Sequence, residues 1–486
     1  MKDAISETVQ RFGLLSPTDC LRCEVCCRFP SPDSPLAPFF SNDEIEAAVA
    51  AGAPREAFPP SAFGPGHPVF LEPFEDIARC PCFRPERNDC RIYANRPGDC
   101  RLYPFMLMYD APGKRVLLGL DRYCPTMQEK KSDPRFSECA DALAALLDGE
   151  MREHVMARRG IVTPWKEHIE PLREMPGLTA TLCRSDLGLA RLTNPAREIL
   201  APYFEADASA LAGHTFAAVA LWAGIFDLHW TTAADCLLVF ASGDGDTFLL
   251  LPPVGAGDVA EAARAALGTL RALAPDAPSP RIQDADETMK KKLFSHGWGV
   301  RESDVEYVYR RVSMAELPGN RYEKKRQRCN HFERNHAWQW RSFLPEDVPA
   351  AIALYREWLA NRVAISEDDF YVAQAEASFR TFTRALCCAE ELGLAARVLE
   401  ADGRMAGVTV ACPLHDGKSF SVMFEVSDLR TKGAAQFMFR RLCRELDAYE
   451  FVNAGGSSGL ENLKRVKESY RPDLRLHAYV LCPLKG

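Results

Sequence analysis

The sequence predicts an α+β protein, in which a Cys-rich N-terminal module precedes a larger region of alternating strand-like and helix-like segments. Two observations lead to this prediction. Four cysteines fall within eight residues, in the pattern Cys20-x-x-Cys23-x-x-Cys26-Cys27, and ten of the 18 cysteines precede residue 140. From about residue 178 the proline- and cysteine-rich character gives way to apolar runs with strand and helix periodicity, which is typical of α+β domains.

Composition narrows the class of protein. The chain has 486 residues, of which 47% are hydrophobic and 26% charged, as in ordinary globular domains. A net charge of −8 argues against a generally basic nucleic-acid-binding protein but permits a local basic patch. The first 17 residues lack the apolar core of a secretory signal, and the longest apolar stretch, 215–225, is about half of a bilayer span. These features predict a cytoplasmic protein, where a reducing environment favours metal binding over disulfides.

A second group of cysteines follows the first: Cys80-x-Cys82, then Cys90, Cys100 and Cys124. Thiols this dense ligate metal ions or form disulfides. A tetrahedral zinc ion needs four ligands at roughly 2.3 Å, so these thiols suit two metals or one cluster with spare ligands. The Cys-x-x-Cys-x-x-Cys spacing also resembles iron–sulfur ligation, although the fourth cysteine that usually follows after three residues is missing. The sequence therefore predicts bound zinc or iron, with an iron–sulfur cluster as an alternative.

The order of residues around these cysteines is also distinctive. It runs from Cys20-Leu-Arg-Cys-Glu-Val-Cys-Cys-Arg through Cys82 and Asp89-Cys-Arg-Ile-Tyr-Ala-Asn-Arg-Pro-Gly-Asp-Cys-Arg-Leu-Tyr-Pro-Phe to Cys124-Pro. Over about 18–130 this order resembles the YkgJ-type cysteine-cluster family, a zinc- or iron-chelating domain. The resemblance implies eight ligands: Cys20, Cys23, Cys26, Cys27, Cys82, Cys90, Cys100 and Cys124. Cys80 is left outside this set because Cys82 can take its place, and Arg96 is either a partner that neutralises the thiolates or a surface arginine.

The region after residue 178 predicts a regular series of elements. Strands are predicted at 236–241, 247–252, 306–312, 395–400, 405–412, 418–426, 450–453 and 474–481, and helices at 259–273, 321–335, 345–359, 373–392, 434–449 and 459–470. Residues 178–305 and 306–486 are consistent with two copies of one α+β unit. The predicted domains are a Cys-cluster module at 1–145, a helical linker at 146–177, and two units at 178–305 and 306–486.

A short loop, Arg430-Thr-Lys-Gly433-Ala-Ala435, lies between a predicted strand and a predicted helix. It resembles the Arg-x-x-Gly-x-Ala loop in the second half of the GNAT acyltransferase fold, where backbone N–H groups at a helix start meet a pyrophosphate. The resemblance implies acyl-CoA as a candidate cofactor, bound at Arg430, Gly433 and Ala435.

Motifs distributed over about 180–486 carry a wider resemblance. They are Glu306-Tyr-Val-Tyr, the segment 317–332, Phe424-Glu425 and the segment 459–472. Together they resemble the phosphatidylglycerol lysyltransferase C-terminal family, whose tandem GNAT-like domains transfer an aminoacyl group from tRNA. The fold prediction then becomes a Cys-rich metal-binding N-terminal module followed by tandem GNAT-like acyltransferase domains. The stretch Ala-Gly-Gly-Ser-Ser after Asn453 departs from a commonly acidic pattern, and no membrane-spanning part is recognised; both argue against a lipid acceptor.

Basic residues concentrate in the predicted helix at 321–334, where six Lys and Arg residues against two Glu residues give about +4. Such a helix suits an RNA backbone, including that of tRNA, or a phosphorylated donor, with Lys325 and Arg326 as candidate contacts. Lys464 and Lys467 share one face of the helix at 459–470 and form a second candidate anion site. The alternative for both sites is a solvated helix face.

Glu425 and Tyr470 are the candidate catalytic residues. Glu425, at a strand end, is a candidate general base on an amine, and Tyr470 a candidate general acid; the alternatives are pairing with a lysine and core packing. The favoured function is acyl or aminoacyl transfer to a small-molecule or protein amine, from aminoacyl-tRNA in preference to acyl-CoA. The alternatives are a non-catalytic adaptor that binds RNA or protein, and a redox or metal-handling protein with an iron–sulfur cluster.

Overall fold

The computed structural model describes residues 2–15, 23, 25–30, 34, 36–58, 66–243, 245–275, 280–363 and 369–484. The chain divides into two compact units, Met1–Ala196 and Arg197–Gly486, called here the N-terminal unit and the C-terminal unit. Within the described ranges, no helix has the length and apolar character needed to cross a membrane.

The N-terminal unit is built from short elements. Its helices are α1 (Lys2–Arg11), α2 (Asn42–Ala50), α3 (Gly98–Leu102), α4 (Pro125–Lys130), α5 (Pro134–Asp148), α6 (Arg152–Ala157) and α7 (Pro176–Leu182). Its strands are β1 (Arg28–Phe29), β2 (Phe39–Phe40), β3 (His67–Pro68), β4 (Glu72–Phe74), β5 (Ile77–Arg79), β6 (Phe83–Arg84), β7 (Asp89–Cys90), β8 (Phe105–Tyr109), β9 (Val116–Asp121), β10 (Val162–Thr163), β11 (Ile169–Glu174) and β12 (Ala190–Arg191).

The antiparallel hairpin of β8 and β9 forms the centre of the larger core of this unit. Every residue of both strands is buried. Strand β10 extends the sheet in parallel beside β8, and β11 pairs antiparallel with β9. Residues 146–177, expected as a helical linker, therefore contribute two strands here. The apolar side chains of Val162 and Ile169 explain the difference, because each is almost fully buried against the hairpin.

The segment that holds α2 and β1 to β7, called here the Cys-rich part, has its own small core. Its strands are two or three residues long and pair in the orders β1-β5-β4, β2-β3 and β6-β7, as expected where frequent prolines remove backbone donors. Helix α2 begins with a capping box, in which Ser41 and Glu44 each satisfy a backbone N–H group of the other. Cys80 and Cys82 pack in this core beside aromatic residues such as Phe83.

The C-terminal unit holds the longer elements. Its helices are α8 (Arg197–Glu205), α9 (Phe216–Leu221), α10 (Val259–Leu273), α11 (Glu287–Phe294), α12 (Arg311–Glu316), α13 (Glu323–Asn335), α14 (Val348–Val363), α15 (Asp369–Cys387), α16 (Ala434–Glu445) and α17 (Glu461–Glu468). Its strands are β13 (Asp227–Ala233), β14 (Cys236–Gly243), β15 (Asp246–Leu249), β16 (Ile282–Ala285), β17 (Trp298–Arg310), β18 (Trp338–Ser342), β19 (Ala395–Ala401), β20 (Arg404–Pro413), β21 (Ser419–Ser427), β22 (Phe451–Asn453) and β23 (Leu474–Pro483).

These strands form one continuous sheet, in the order β13-β14-β15-β16-β23-β17-β22-β21-β20-β19-β18. The last strand of the chain, β23, lies between β16 and β17 and joins the two halves of the sheet. The predicted boundary between residues 305 and 306 falls inside β17, so it does not coincide with a gap between elements. Most neighbours are antiparallel, but β15 and β16 are parallel, as are β21 and β22.

The parallel pair β21 and β22 separates soon after it begins. The strands pair only along Ser419–Ser421 and Phe451–Asn453. Strand β21 then continues to Ser427, whereas β22 ends at Asn453. The two strands therefore part beyond Asn453, and the edge at which they part is called here the cleft. Helices α13 and α16 pack on one face of this half of the sheet, where Phe332 and Phe437 belong to the buried core.

Candidate functional site

Glu425 lies on β21 beyond the point where β21 and β22 part. Solvent reaches its side chain, which is exposed. Protein atoms nevertheless surround the carboxyl group, and this desolvation raises its pKa to about 8, against the opposing charge of Lys467. A carboxylate that is both accessible and desolvated is characteristic of a functional cleft.

Lys467, on α17, faces the same cleft. Its Nζ donates to the carbonyl oxygen of Ala454 at 2.6 Å and also to that of Gly456. Desolvation lowers the pKa of Lys467 to about 8, while Asp304 and two glutamates, Glu306 and Glu425, act in the opposite direction. The ammonium group is thus held by the loop after β22 and lies within electrostatic reach of Glu425.

Tyr470 follows the C-terminal end of α17 and completes this group. Desolvation and the charge of Glu425 hold the pKa of its phenol well above the usual range. The rings of Tyr309 and Phe439 meet it edge-on at centroid distances of 6.1 and 5.5 Å. Lys325 Nζ lies 3.7 Å from the centroid of the Tyr470 ring. The fold therefore brings the two predicted catalytic residues together with Lys467.

Glu306, on β17, is a half-buried acid that was not among the predicted site residues. Its carboxylate accepts from the backbone N–H of Ala212 at 2.9 Å and from Asn453 Nδ2 at 2.6 Å. Desolvation raises its pKa to about 7, although these hydrogen bonds oppose the shift. The sequence signal that could have identified it is an acidic residue directly before the apolar run Tyr307-Val-Tyr.

The loop that brings Ala212 to Glu306 is held by a buried ion pair. His214 Nδ1 lies 2.7 Å from Asp207 Oδ2, and its Nε2 lies 2.7 Å from the carbonyl oxygen of Asp284. Burial alone would lower the pKa of His214, but the hydrogen bond and charge of Asp207 raise it to about 9. The pair thus fixes the loop behind Glu306.

The loop at 454–458, with the sequence Ala-Gly-Gly-Ser-Ser, is hydrogen-bonded to an acidic residue on another strand. Asp304, on β17, accepts from the backbone N–H groups of Ser457 at 3.3 Å and Ser458 at 3.0 Å. A Cβ atom on Gly456 would lie 2.0 Å from Asp304 Oδ2, so glycine is required for this close approach. A carboxylate is therefore present beside the loop although the loop sequence has none.

The predicted pyrophosphate loop is engaged within the fold. Arg430 pairs with Asp428 at 3.1 Å and with Glu357 at 3.0 Å. Gly433 has φ +93°, and a Cβ atom there would lie 2.3 Å from the carbonyl oxygen of Arg328 on α13. Helix α13 therefore covers the start of α16, where Ala435 lies. The assignment of this loop to acyl-CoA stays a prediction.

The predicted anion-binding residues of α13 also have partners in the fold. Lys325 Nζ donates to Ser469 Oγ at 2.7 Å, and Arg326 donates to the carbonyl oxygens of Leu317 and Gly319. On α17, Lys464 is exposed. Lys467 on the same helix belongs to the cleft. The assignment of these residues to two anion sites stays a prediction.

Strand pairing brings several of the predicted metal ligands close together. The N–H of Cys80 donates to the carbonyl oxygen of Cys27 at 3.0 Å, and Cys90 pairs with Phe83 in the β6-β7 ladder. Burial and the neighbouring thiols of Cys80 and Cys90 raise the pKa of Cys27 to about 12. Cys100 lies within electrostatic reach of the same thiols, and its pKa is also raised. Cys80, which the predicted ligand set omitted, is therefore central to this group.

Two further predicted ligands, Cys26 and Cys124, lie near Tyr103. Both thiols lie within electrostatic reach of its phenol, and desolvation holds the pKa of that phenol above its usual range. Adjacent cysteines 26 and 27 thus face different surroundings. Arg96 stacks on Tyr93 at 3.7 Å, and its charge lowers the pKa of Cys27 against the larger effect of burial.

The ligand assignment itself stays a prediction. Cys20 lies outside the described residues. Among those that are described, which include Cys23 and Cys82, no three His, Cys, Asp or Glu side chains are arranged to hold a metal ion, and no disulfide joins the cysteines. The donor chemistry nonetheless fits zinc or iron, because thiolates are ligands that both metals accept.

Two family models match the chain. The model described as "Phosphatidylglycerol lysyltransferase, C-terminal" matches residues 207–482, more than half of the chain. The model described as "Putative zinc- or iron-chelating domain" matches residues 19–130. These matches confirm both sequence resemblances. No curated protein matches the chain.

Solved structures support the fold of the C-terminal unit. A conserved protein of unknown function from Bacteroides thetaiotaomicron is similar with a TM-score of 0.55 and 21% identity, covering 61% of this chain and 99% of that one. L-PGS from Bacillus licheniformis gives 0.44 and 15%, covering 60% and 92%. A tandem GNAT protein from the clavulanic acid biosynthesis pathway gives 0.37 and 11%, covering 61% and 98%. The α+β prediction, with a Cys-rich module before a phosphatidylglycerol lysyltransferase C-terminal-like region, is confirmed.

Proposed function

Because the chain belongs to the phosphatidylglycerol lysyltransferase C-terminal family, we propose that its C-terminal unit transfers an aminoacyl group from aminoacyl-tRNA to an amine. One observation carries the proposal: Glu425, on β21 beyond its pairing with β22, lies within electrostatic reach of both Lys467 and Tyr470, and desolvation shifts the pKa of each of the three. Such a group of titratable residues in a solvent-accessible cleft is suited to proton transfer.

In the proposed reaction, Glu425 accepts a proton, Tyr470 donates one, and Lys467 acts through its charge. Glu425, as a carboxylate, takes a proton from the amine while its nitrogen attacks the ester carbonyl carbon of the donor. A C–N bond forms and the C–O bond to the ribose breaks. Tyr470, whose high pKa keeps the phenol protonated at neutral pH, donates its proton to the departing ribose oxygen. The positive charge of Lys467 favours the carboxylate form of Glu425.

Aminoacyl-tRNA is favoured over acyl-CoA by the start of α16. The carbonyl oxygen of Arg328 packs against Gly433, 2.3 Å from the position of an added Cβ atom, and the charge of Arg430 is already matched by Asp428 and Glu357. An acyl-CoA enzyme needs exposed backbone N–H groups at this position. The proposed acceptor is an amine on a small molecule or a protein, which must lose a proton to Glu425.

In the N-terminal unit, we propose a bound zinc or iron ion held by the cysteine set. The candidate ligands are the eight predicted cysteines together with Cys80, whose backbone is hydrogen-bonded to Cys27. When bound, the metal would supply cross-links between the short elements of the Cys-rich part.

The proposal is tested with purified protein, charged tRNA and a panel of amines, by following tRNA deacylation and amide formation by mass spectrometry. We expect Glu425→Gln to lower kcat by about 10²- to 10⁴-fold, the usual contribution of a general base, without changing the affinity for tRNA. Glu450→Gln is the matched control, because Glu450 pairs with Arg310 on the surface. Wild-type protein that transfers from no charged tRNA would support the adaptor alternative, and a fully active Glu425→Gln would remove Glu425 from the reaction.

A further inference from the structure

Lys325 is a half-buried lysine on the inner face of α13. It lies one turn before Cys329 and two turns before Phe332, which are both buried, so the three side chains share the face that packs on the core. Its Nζ donates to Ser469 Oγ at 2.7 Å. The ammonium group therefore reaches the segment that follows α17.

The second partner of this ammonium group is an aromatic ring. Lys325 Nζ lies 3.7 Å from the centroid of the Tyr470 ring, within the distance at which a cation is attracted to the face of a ring. Desolvation and the charge of Arg328 lower the pKa of Lys325 to about 8, so the group keeps its positive charge at pH 7. The contact thus joins a desolvated cation to the candidate general acid.

Other contacts hold Tyr470 from its remaining sides. The rings of Tyr309 and Phe439 meet its ring in T-shaped arrangements. Its backbone carbonyl oxygen accepts from the hydroxyl group of Tyr322 at 3.1 Å. Lys325 lies over the face of the ring, so the orientation of the phenol is set by contacts to the backbone, the other rings and the ammonium group together.

The other titratable groups near Tyr470 disfavour the loss of its proton. Desolvation and four groups on four elements raise the pKa of the phenol: Glu425 on β21, Cys329 on α13, Tyr309 on β17 and Cys443 on α16. Lys467, one turn earlier than Tyr470, is engaged by the loop after β22. Lys325 supplies a positive charge in direct contact with the ring, which opposes the effect of these groups.

We propose that Lys325 is a positioning residue for Tyr470: its ammonium group orients the ring and stabilises the phenolate that remains when the proton passes to the departing ribose oxygen. This inference rests on the proposed function and identifies the residue that supports its general acid. A positive charge favours the phenolate over the neutral phenol, so the contact strengthens as the proton leaves. The starting state returns when Glu425 releases the proton of the amine to water and the phenolate takes one from water.

The test is transfer from charged tRNA at pH 7 by Lys325→Met, which keeps a long side chain and removes its charge. We expect kcat to fall by about 10- to 30-fold, the size of a desolvated cation–π contact, with an unchanged KM for charged tRNA. Lys325→Arg should restore most of the rate, because a guanidinium group also stacks on aromatic rings. Thermal melting checks that the variants are folded.

The matched control is Lys290→Met. Lys290, on α11, is also half-buried, and its Nζ lies 4.1 Å from the centroid of another tyrosine ring, that of Tyr479. This variant loses the same kind of contact at a place that has no part in the proposed reaction, so its kcat should equal that of wild-type protein.

A second background separates the effect on Tyr470 from packing. Tyr470→Phe has no phenol proton to donate, so the addition of Lys325→Met should cause no further loss of rate. An equal loss in both backgrounds would show that Lys325 acts elsewhere and would overturn the inference. A raised KM with an unchanged kcat would make Lys325 a contact for the donor, which also overturns it.

Nitrotyrosine incorporated at position 470 provides a measurement that needs no activity. We expect the pH midpoint of its visible nitrophenolate absorbance to lie about one pH unit or more higher in Lys325→Met than with Lys325 present, and to be unchanged in Lys290→Met. An unchanged midpoint in Lys325→Met, in a protein that transfers from charged tRNA, overturns the inference and leaves the function standing. Wild-type protein that transfers from no charged tRNA overturns both.

Discussion

At the scale of single residues, the cleft depends on the charge of Lys467. Desolvation raises the pKa of Glu425, and Lys467 limits this rise. We therefore expect Lys467→Met to raise the pKa of Glu425 further. A general base acts when deprotonated, so the rate increases with pH through its pKa. The rising limb of the kcat–pH profile should lie near pH 8 in wild-type protein and at higher pH in Lys467→Met.

The conservative variant separates charge from packing. Lys467→Arg keeps the positive charge and should keep the limb near its wild-type position, even if the hydrogen bonds to Ala454 and Gly456 are disturbed. A Lys467→Met profile with an unshifted limb would show that Lys467 has only a structural role. The profiles are measured under saturating donor and acceptor.

The residues of the cleft differ in how far sequence could reveal them. Glu425 and Tyr470 follow recognisable strand and helix signals, and both were predicted as candidates. Glu306 was not, because its environment depends on Ala212, which lies 94 residues earlier in the chain, and on Asn453. Contacts over such separations are set by the tertiary fold, which local propensity does not specify.

At the scale of elements, Gly433 allows α13 to pack closely against the start of α16. An L-residue at φ +93° is strained, and a Cβ atom would also collide with the Arg328 carbonyl at 2.3 Å. Gly417 is the matched control, since it has φ +70° but no atom within 4 Å of an added Cβ. We expect Gly417→Ala to lower the free energy of unfolding by about 1 kcal/mol and Gly433→Ala to lower it clearly more, measured by denaturant unfolding. Equal losses would contradict the close packing of α13 on α16.

Elements with a strong periodic signal were predicted well. The helix predicted at 259–273 is confirmed as α10, with the same ends, because its apolar face is regular and Asp258 caps its start. Strands β10 and β11 were missed, as they lie in a polar, proline-containing segment. Only pairing with β8 and β9 makes this segment part of a sheet.

At the scale of the whole molecule, the order of elements along the chain predicted the fold class but not the arrangement of the sheet. The division at residues 305 and 306 assumes two successive units, whereas β17 crosses that point. The C-terminal strand β23 lies between β16 and β17 because it pairs with both. Such non-local pairing leaves no mark in local periodicity, since each strand keeps its own alternating pattern wherever it is inserted.

The N-terminal unit provides the last prediction, because the described strands of its Cys-rich part are short and its core is small. A bound zinc or iron ion would therefore contribute much of its stability; structural zinc is worth on the order of 10 kcal/mol in zinc-finger peptides. We expect purified wild-type protein to carry stoichiometric metal by elemental analysis, and Cys23→Ser with Cys90→Ser to lose it. Limited proteolysis should then cut the N-terminal unit while the C-terminal unit persists.

The control is Cys482→Ser, which changes a cysteine in the C-terminal unit; this variant should keep the metal bound in the N-terminal unit. A visible absorption band would identify an iron–sulfur cluster, a colourless metal-loaded protein would indicate zinc, and metal-free protein from an anaerobic preparation would contradict the proposal.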